Sequence, residues 1–107
     1  MPRAATTSDP FNAIAEPRRR HILELIAGDE RSVTEIADAL EMEQPSVSKH
    51  LQVLRDVKLV TSRRDGRRIL YRANAHTLRT VHEWCGMFAQ HWRGQLRRIK
   101  SHAEEKR

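Results

Sequence analysis

The chain has 107 residues, a formal net charge of +6 and one cysteine, Cys85. This length supports one domain with a modest core, and the positive charge favours an anionic partner. A single cysteine excludes an internal disulfide, and the uncharged apolar runs are too short to span a membrane.

The ends of the chain differ from its centre in composition. We expect a disordered tail over residues 1–9, one domain over residues 10–103 and a charged tail over residues 104–107. The first nine residues lack the apolar core of a signal peptide. We therefore expect a cytoplasmic protein that does not associate with a membrane.

Two capped helices are predicted at the start of the domain. Residues 9–15 have the Asp-Pro opening of a short helix, and Pro17 opens a second helix that Gly28 ends. The arginines at positions 18–20 lie at the start of this second helix, where the helix dipole disfavours cations. We expect them to be either solvated or bound to phosphate.

The segment from Ser32 to Leu54 has the pattern of two short helices joined by a tight turn, the layout of a helix-turn-helix. Ser32 and Glu35 can form a capping box at the start of the first helix. The chain must turn over residues 41–44 because Pro45 cannot continue a helix but suits the start of a new one.

The second helix has one apolar face and one polar face. Val47, Leu51 and Leu54 are predicted to face the core. The opposite face comprises Pro45, Ser48, Lys49, Gln52 and Arg55. Small polar residues at a helix N-terminus are typical of a helix that enters the major groove, where its free N–H groups meet phosphate. A solvated helix face is the alternative interpretation.

Two alternating runs on either side of Asp65-Gly66 predict a β-hairpin, because Asp-Gly is a strong hairpin signal. Five arginines surround this turn, with Asp65 as the one acid close in sequence: Arg63, Arg64, Arg67, Arg68 and Arg72. Such a run favours an external polyanion, and the phosphate backbone is the obvious candidate. Solvated surface arginines are the alternative.

We predict one long terminal helix from about Ala75 to Ala103. At 1.5 Å per residue it would be roughly 40 Å long, more than so small a domain can cover. An apolar stripe recurs along it at steps of three or four residues. The stripe comprises Val81, Trp84, Cys85, Phe88, Trp92, Leu96 and Ile99. We predict that this stripe, with Phe11 and Ile14 of the first helix, forms a homodimer interface.

The order of these elements and three sequence runs resemble the winged helix-turn-helix regulators of the ArsR type. The runs are FNAIAEPRRRHIL, SVSKHLQVL and DGRRILYR, and the resemblance covers about residues 10–102. It is strongest to the SdpR-like members, many of which have no metal site. It implies a mostly α fold with a small β-hairpin wing, whose terminal helices form a dimer. It further implies a transcriptional repressor, in some cases an autorepressor, that binds a palindromic operator in its promoter region.

The resemblance also implies which residues contact DNA. On the second helix of the helix-turn-helix these are Gln44, Ser46, Ser48, Lys49 and His50, and on the wing they are Arg64, Arg67 and Arg68. The polar face of the helix adds Pro45 and Gln52 to the predicted DNA contacts. Among the predicted helix contacts, His50 does not lie on the polar face, because the helical wheel places it beside the buried stripe.

The sequence departs from the family at two backbone positions. Glu41 and Lys58 stand where the family commonly has glycine. Each is therefore expected in the left-handed conformation, which is unfavourable for residues with a side chain.

A chemical departure concerns metals. Metal-sensing members carry a cysteine pair in the helix before the recognition helix, and the run SVTEIAD has none. His82 and Cys85 are three residues apart on the terminal helix and could seed a zinc site shared between subunits. The family's ligand pattern is not reproduced around them, so we expect no metal and no cofactor.

Other functions are weaker hypotheses. The chain has no Gly-rich phosphate loop and no paired carboxylates in an apolar setting, so an enzyme is not expected. The main alternative to a DNA-binding repressor is a winged helix that serves as a protein-interaction or RNA-binding module without sequence-specific readout of DNA. A small-molecule or protein effector is a further partner that the sequence leaves open.

Overall fold

The computed structural model describes the backbone of residues 9–105 and the side chains of residues 9–100. The helices in this range are α1 (Pro10–Ile14), α2 (Pro17–Ile26), α3 (Val33–Leu40), α4 (Gln44–Asp56), α5 (Ala75–Gly86) and α6 (Ala89–Glu105), and the strands are β1 (Val60–Asp65) and β2 (Arg68–Ala73). Apart from Asp9, the predicted tail over residues 1–9 lies outside the described residues, as do positions 106 and 107 of the predicted charged tail 104–107. None of the described helices is long and apolar enough to cross a membrane.

Side-chain caps fix where the first helices begin. The Asp9 carboxylate accepts a hydrogen bond from the backbone N–H of Phe11 at 2.9 Å and caps α1. At the start of α3 the Ser32 hydroxyl accepts from the Glu35 N–H at 3.2 Å, and the Glu35 carboxylate accepts from the Ser32 N–H at 2.9 Å. The predicted capping box is confirmed, and it satisfies two N–H groups that have no partner within the helix.

The arginines at the start of α2 bind the end of α1, which the sequence pattern did not predict. Arg19 donates from Nε to the carbonyl of Ala13 at 2.6 Å, and Arg20 donates to the carbonyl of Ile14 at 2.7 Å. A cation is favourable at a helix C-terminus, where carbonyls are left unpaired. In the free chain the expectation that these arginines are solvated or bound to phosphate is therefore wrong for the half-buried Arg19, whereas Arg20 remains exposed to solvent.

Both helices of the helix-turn-helix are followed by a non-glycine residue in the left-handed region, as predicted. Glu41 has φ 54° and Lys58 has φ 64°. In each case the N–H of the next residue, Met42 or Leu59, donates to the carbonyl five residues earlier at 2.9 Å. This is the hydrogen bond of a Schellman motif, which usually uses glycine.

The core lies between α1, α2, α3, α4 and the base of the hairpin. Its buried residues are Ala13, Ile22, Leu23, Ile26, Ile36, Ala37, Val47, Leu51, Leu54, Val57, Leu59 and Val60. The predicted inner face of the second helix, Val47, Leu51 and Leu54, is confirmed as part of this core. The helix itself begins at Gln44, one residue earlier than predicted, with Pro45 in its first turn.

The hairpin pairs in an antiparallel register from Val60 opposite Ala73 to Asp65 opposite Arg68. Its loop is therefore residues 66–67, one position later than the predicted Asp65-Gly66 turn. Gly66 has φ 63°, a conformation that side chains disfavour and that two-residue hairpin loops require.

The predicted single terminal helix is wrong, because the chain breaks between α5 and α6. Gly86 ends α5, and the N–H groups of Met87 and Phe88 donate to carbonyls three residues earlier at 3.1 and 3.0 Å. Glycine is a poor helix former, and bonds over three residues tighten the backbone into a turn. The apolar spacing from Trp84 to Phe88 to Trp92 continues across the break, which is why the periodicity predicted one helix.

Candidate nucleic-acid interface

The outer face of α4 is polar and exposed. The side chains of Gln44, Pro45, Ser48, Lys49, Gln52 and Arg55 are all exposed, whereas Ser46 is half-buried. Val47 and Leu51 anchor the opposite side in the core and so fix which residues point outward. The structure thus brings the predicted helix contacts, except the half-buried Ser46 and His50, to one accessible side of the recognition helix.

The N-terminus of α4 is open to an anion. Its N-cap residue, Glu43, makes no side-chain cap hydrogen bond, and the first turn contains no acidic residue. The first N–H groups of a helix point outward and carry the positive end of its dipole. Pro45 has no N–H, so the donors that this end of α4 can offer a phosphate oxygen are those of Gln44 and Ser46, next to the acidic Glu43.

His50 lies on the same side of α4 as Ser46, four residues earlier, and away from the exposed predicted contacts. It is half-buried, and its Nδ1 is 3.5 Å from a terminal nitrogen of Arg19 on α2. Burial lowers the pKa of His50, and the neighbouring Arg19 lowers it further. The imidazole therefore favours its neutral form.

One wing arginine is neutralised within the chain. Arg63 forms two hydrogen bonds with the Glu30 carboxylate, at 2.8 Å from Nε and 2.9 Å from a terminal nitrogen. The hydrogen bond from Arg63 lowers the pKa of Glu30 below its ordinary value. Arg63 therefore does not need the external polyanion that the sequence pattern favours for the hairpin arginines, because Glu30 lies far away in sequence but close in the fold.

The three wing arginines that are predicted to contact DNA divide into two kinds. Arg68 lies 3.5 Å from the Glu35 carboxylate and 3.7 Å from that of Asp65. By contrast, Arg64 and Arg67 are exposed and have no carboxylate within 4.0 Å among the described residues. Two of the three predicted wing contacts thus have charges that no described acid balances.

A second feature, the aromatic surface, comprises Phe11, Trp84, Phe88, Trp92, Leu96 and Ile99. Its members from Trp84 onward, on α5, α6 and the turn between them, are each between 41% and 66% exposed in the single chain. The other predicted interface residues, Ile14, Val81 and Cys85, are half-buried beside it. Exposed apolar area of this kind is typical of a protein interface.

Metal ligands are scattered in the part of the chain that the structure describes. Within it, no group of three or more His, Cys, Asp or Glu side chains is arranged to hold a metal ion. His82 is exposed on α5, and Cys85 is a half-buried free thiol on the same helix.

Sequence reasoning missed two residues of this region. Arg19 contacts His50 on the recognition helix, and Glu30 neutralises Arg63 on the wing. Each is 31 or 33 residues from its partner. No local pattern could have paired them.

A helix-turn-helix followed by a β-hairpin and framed by terminal helices defines a winged helix-turn-helix protein. The family model for bacterial regulatory proteins of the arsR family matches residues 16–62. The chain is 34% identical over 74 residues to the transcriptional repressor SdpR of Bacillus subtilis, a match that spans 69% of this chain and 82% of SdpR. The chain belongs to the ArsR family, and the resemblance found in the sequence is confirmed.

Other relatives match over less of their own length. The chain is 42% identical over 68 residues to the HTH-type transcriptional repressor SmtB of Mycobacterium tuberculosis, which spans 64% of this chain and 50% of SmtB. It is 39% identical over 66 residues to a probable mercury resistance operon repressor of Streptomyces lividans, of which the match spans 53%.

Solved structures agree with the fold. An ArsR-like transcriptional regulator from Rhodococcus sp. RHA1 superposes with a TM-score of 0.69 at 27% identity, covering 94% of this chain and 95% of that one. The homodimeric winged helix-turn-helix DNA-binding domain Mb0332 from Mycobacterium bovis superposes with a TM-score of 0.64 at 34% identity, covering 82% of this chain and 80% of that one. The predicted winged helix-turn-helix fold is confirmed.

Proposed function

We propose that this chain is a homodimeric, sequence-specific transcriptional repressor that binds a palindromic operator in its promoter region and can repress its own gene. One observation carries the proposal. An exposed polar face on α4 adjoins a wing on which Arg64 and Arg67 have no ion-pair partner among the described residues. The relatives SdpR and SmtB are named repressors, which supports the direction of regulation.

The recognition helix α4 is proposed to enter the major groove. Its proposed contacts are Gln44, Pro45, Ser46, Ser48, Lys49 and Gln52. Ser48 and Gln52 can donate to and accept from base edges, whereas Lys49 can only donate. In the free chain Gln52 donates to the Asp56 carboxylate at 2.8 Å on the exposed surface. An exposed hydrogen bond of this kind contributes little net stability, so a base edge can replace it.

The wing is proposed to lie on the sugar-phosphate backbone or in the minor groove through Arg64, Arg67 and Arg68. Contacts of this kind supply affinity and orientation but little sequence information. Arg68 would exchange its contacts with Glu35 and Asp65 for phosphate, whereas Arg64 and Arg67 have no ion pair to give up among the described residues.

A second copy of the chain is proposed to cover the aromatic surface. The proposed interface residues are Phe11, Ile14, Val81, Trp84, Cys85, Phe88, Trp92, Leu96 and Ile99. A two-fold dimer would place two recognition helices in half-sites one helical turn apart, about 34–36 Å. The operator would then be palindromic because the protein is symmetric.

A repressor of this kind also has an expected location and an expected means of release from DNA. The chain would act in the cytoplasm on chromosomal DNA, with no catalytic activity of its own. A small molecule or a protein would release it from the operator, and either could act through the dimer interface. The proposed function requires neither a metal ion nor a cofactor.

The test is a binding assay on the full chain by fluorescence anisotropy. The probes are a duplex from the region upstream of the gene, a shuffled duplex of the same composition, and a structured RNA. We expect the upstream duplex to bind at least about 10³-fold more tightly than the shuffled duplex at physiological salt. Equal affinity for both duplexes would contradict sequence-specific readout, and tighter binding of the RNA would favour the RNA-binding alternative.

A further inference from the structure

The guanidinium of Arg19 contacts two separate helices. Its Nε donates to the carbonyl of Ala13 at 2.6 Å, and one terminal nitrogen is 3.5 Å from the carbonyl of Asn12, both on α1. The other terminal nitrogen is 3.5 Å from Nδ1 of His50 on α4. A single side chain of α2 therefore joins the N-terminal helix to the recognition helix.

This contact requires a neutral imidazole. A guanidinium has donors and no acceptor, so Nδ1 of His50 must present its lone pair to Arg19 and the ring proton must be on Nε2. Protonation of Nδ1 would remove the acceptor and place two cations 3.5 Å apart. The repulsion would act on the same guanidinium that binds the carbonyls of α1.

The surroundings of His50 favour this neutral form. Burial lowers its pKa most, the field of Arg19 lowers it further, Glu16 raises it and Arg18 lowers it. These three charged groups belong to α2 and its N-cap residue. Helix α1, with the sequence PFNAI, has no titratable side chain, and the neighbouring Lys49 on α4 is exposed.

We propose that Arg19 and neutral His50 position the recognition helix, so that operator affinity depends on the contact between them and decreases when His50 takes up a proton. The inference rests on the proposed DNA-binding function. It assigns His50 a positioning role in place of the DNA contact that the family resemblance implies. Because Phe11 of α1 packs on Trp84 with ring centroids 5.2 Å apart, the same contact also links the recognition helix to the aromatic surface.

The two roles of His50 predict opposite responses to pH. If His50 bound phosphate directly, protonation would add an attraction and operator affinity would increase as the pH falls. If it acts through Arg19, protonation breaks the contact and affinity decreases as the pH falls through the pKa of the imidazole. The sign of the change therefore separates the two roles.

The first experiment measures operator affinity of the full chain from about pH 8 to about pH 5, a range that extends well below the ordinary pKa of histidine because burial lowers the pKa of His50, with circular dichroism to confirm folding at each pH. We expect wild-type affinity to decrease about tenfold over this range, because a dimer has two such contacts and each hydrogen bond contributes severalfold. His50→Asn and Arg19→Gln should bind more weakly than wild type near neutral pH and lack this decrease. His76→Asn, which removes an exposed histidine of α5 outside the proposed site, should keep it.

The second experiment needs no DNA. The His50 imidazole is titrated by NMR in wild type and in Arg19→Gln. Removal of Arg19 should raise the pKa of His50, because the substitution eliminates the guanidinium field and part of the burial. An unchanged pKa would overturn the contact in solution.

Three outcomes would overturn either the positioning role of His50 or the proposed DNA-binding function on which it rests. A decrease in affinity that persists in His50→Asn overturns the role, as does an affinity that rises at low pH in wild type and not in His50→Asn. If wild type binds upstream and shuffled duplexes equally while the NMR shift in Arg19→Gln is present, the proposed function fails and the contact between Arg19 and His50 stands.

Discussion

Phe11 of α1 meets Trp84 of α5 edge to face, with ring centroids 5.2 Å apart and ring planes at 69°. Trp84 makes a similar contact with Phe88, at 5.0 Å and 62°. Such pairs contribute about 0.5–1.5 kcal/mol beyond the area they bury. The N-terminal and terminal helices of one chain are thus held together, while the exposed parts of the same rings remain available to a second copy.

The first prediction concerns this aromatic surface. Trp92→Glu should raise the dimer dissociation constant at least about 100-fold, because a carboxylate buried in an apolar interface loses its hydration. Sedimentation at micromolar concentration measures the change. Gln90→Glu adds the same charge at an exposed position outside the apolar stripe and should leave the dimer intact. A Trp92→Glu protein that still sediments as a dimer would place the interface elsewhere.

The second prediction concerns the left-handed residue after the recognition helix. Lys58→Gly should raise the free energy of unfolding by about 1 kcal/mol, because the strain of a left-handed side-chain residue exceeds the entropy that glycine adds to the unfolded chain. Urea denaturation measures the change. Lys58→Ala, which removes the side chain without relieving φ 64°, should give no such gain. Equal stabilisation by alanine would assign the effect to the lysine charge instead.

Local contacts are the part of this fold that the sequence predicts well. The capping box joins Ser32 and Glu35, which are three positions apart, and the inner face of α4 follows from helical spacing alone. The helix break after Gly86 also has a local signal, the glycine itself, but the apolar periodicity of the surrounding residues is a stronger signal for a continuous helix. The four-residue spacing of Trp84, Phe88 and Trp92 is unchanged across the turn, so the helix period masks it.

Long-range charge pairing is the part that the sequence does not predict. The hairpin arginines form one cluster in sequence, yet the fold separates Arg63, bound by Glu30, from Arg64 and Arg67. Likewise, the distance from Arg19 to His50 depends on how α2 packs against α4. Both results require the positions of elements about thirty residues apart, which hydrophobic periodicity does not fix.

The third prediction uses this difference between wing arginines. Arg64→Ala and Arg67→Ala should each lower the salt slope of DNA binding by about 1 for every phosphate that a subunit no longer neutralises. Arg63→Ala removes the same formal charge from the same hairpin, but Glu30 already balances that charge. It should leave the slope nearly unchanged. Equal effects of all three variants would show that the wing acts only through its net charge.

The fourth prediction separates base readout from phosphate binding. Ser48→Ala should weaken binding to the operator by roughly 1–3 kcal/mol and leave binding to shuffled duplex nearly unchanged, because a base contact carries sequence information. Arg55→Ala provides a control on the same exposed side of α4, near its other end. This variant should change the affinity for the operator and the affinity for the shuffled duplex equally, either by a similar small amount or not at all. If Ser48→Ala lowered the affinity for both duplexes equally, Ser48 would not take part in base readout.

The last prediction concerns metals. Operator affinity should be the same with excess zinc and after chelation, because His82 and Cys85 provide only two ligands per chain, and a closed zinc site needs four. A ligand can change DNA affinity only through its different affinities for the free and bound states, so the comparison reports directly on coupling. A tenfold change, about 1.4 kcal/mol, would contradict the prediction if chelator reversed it and either Cys85→Ser or His82→Ala abolished it. Two ligands from each subunit would then form a site across the dimer, because one chain by itself supplies too few.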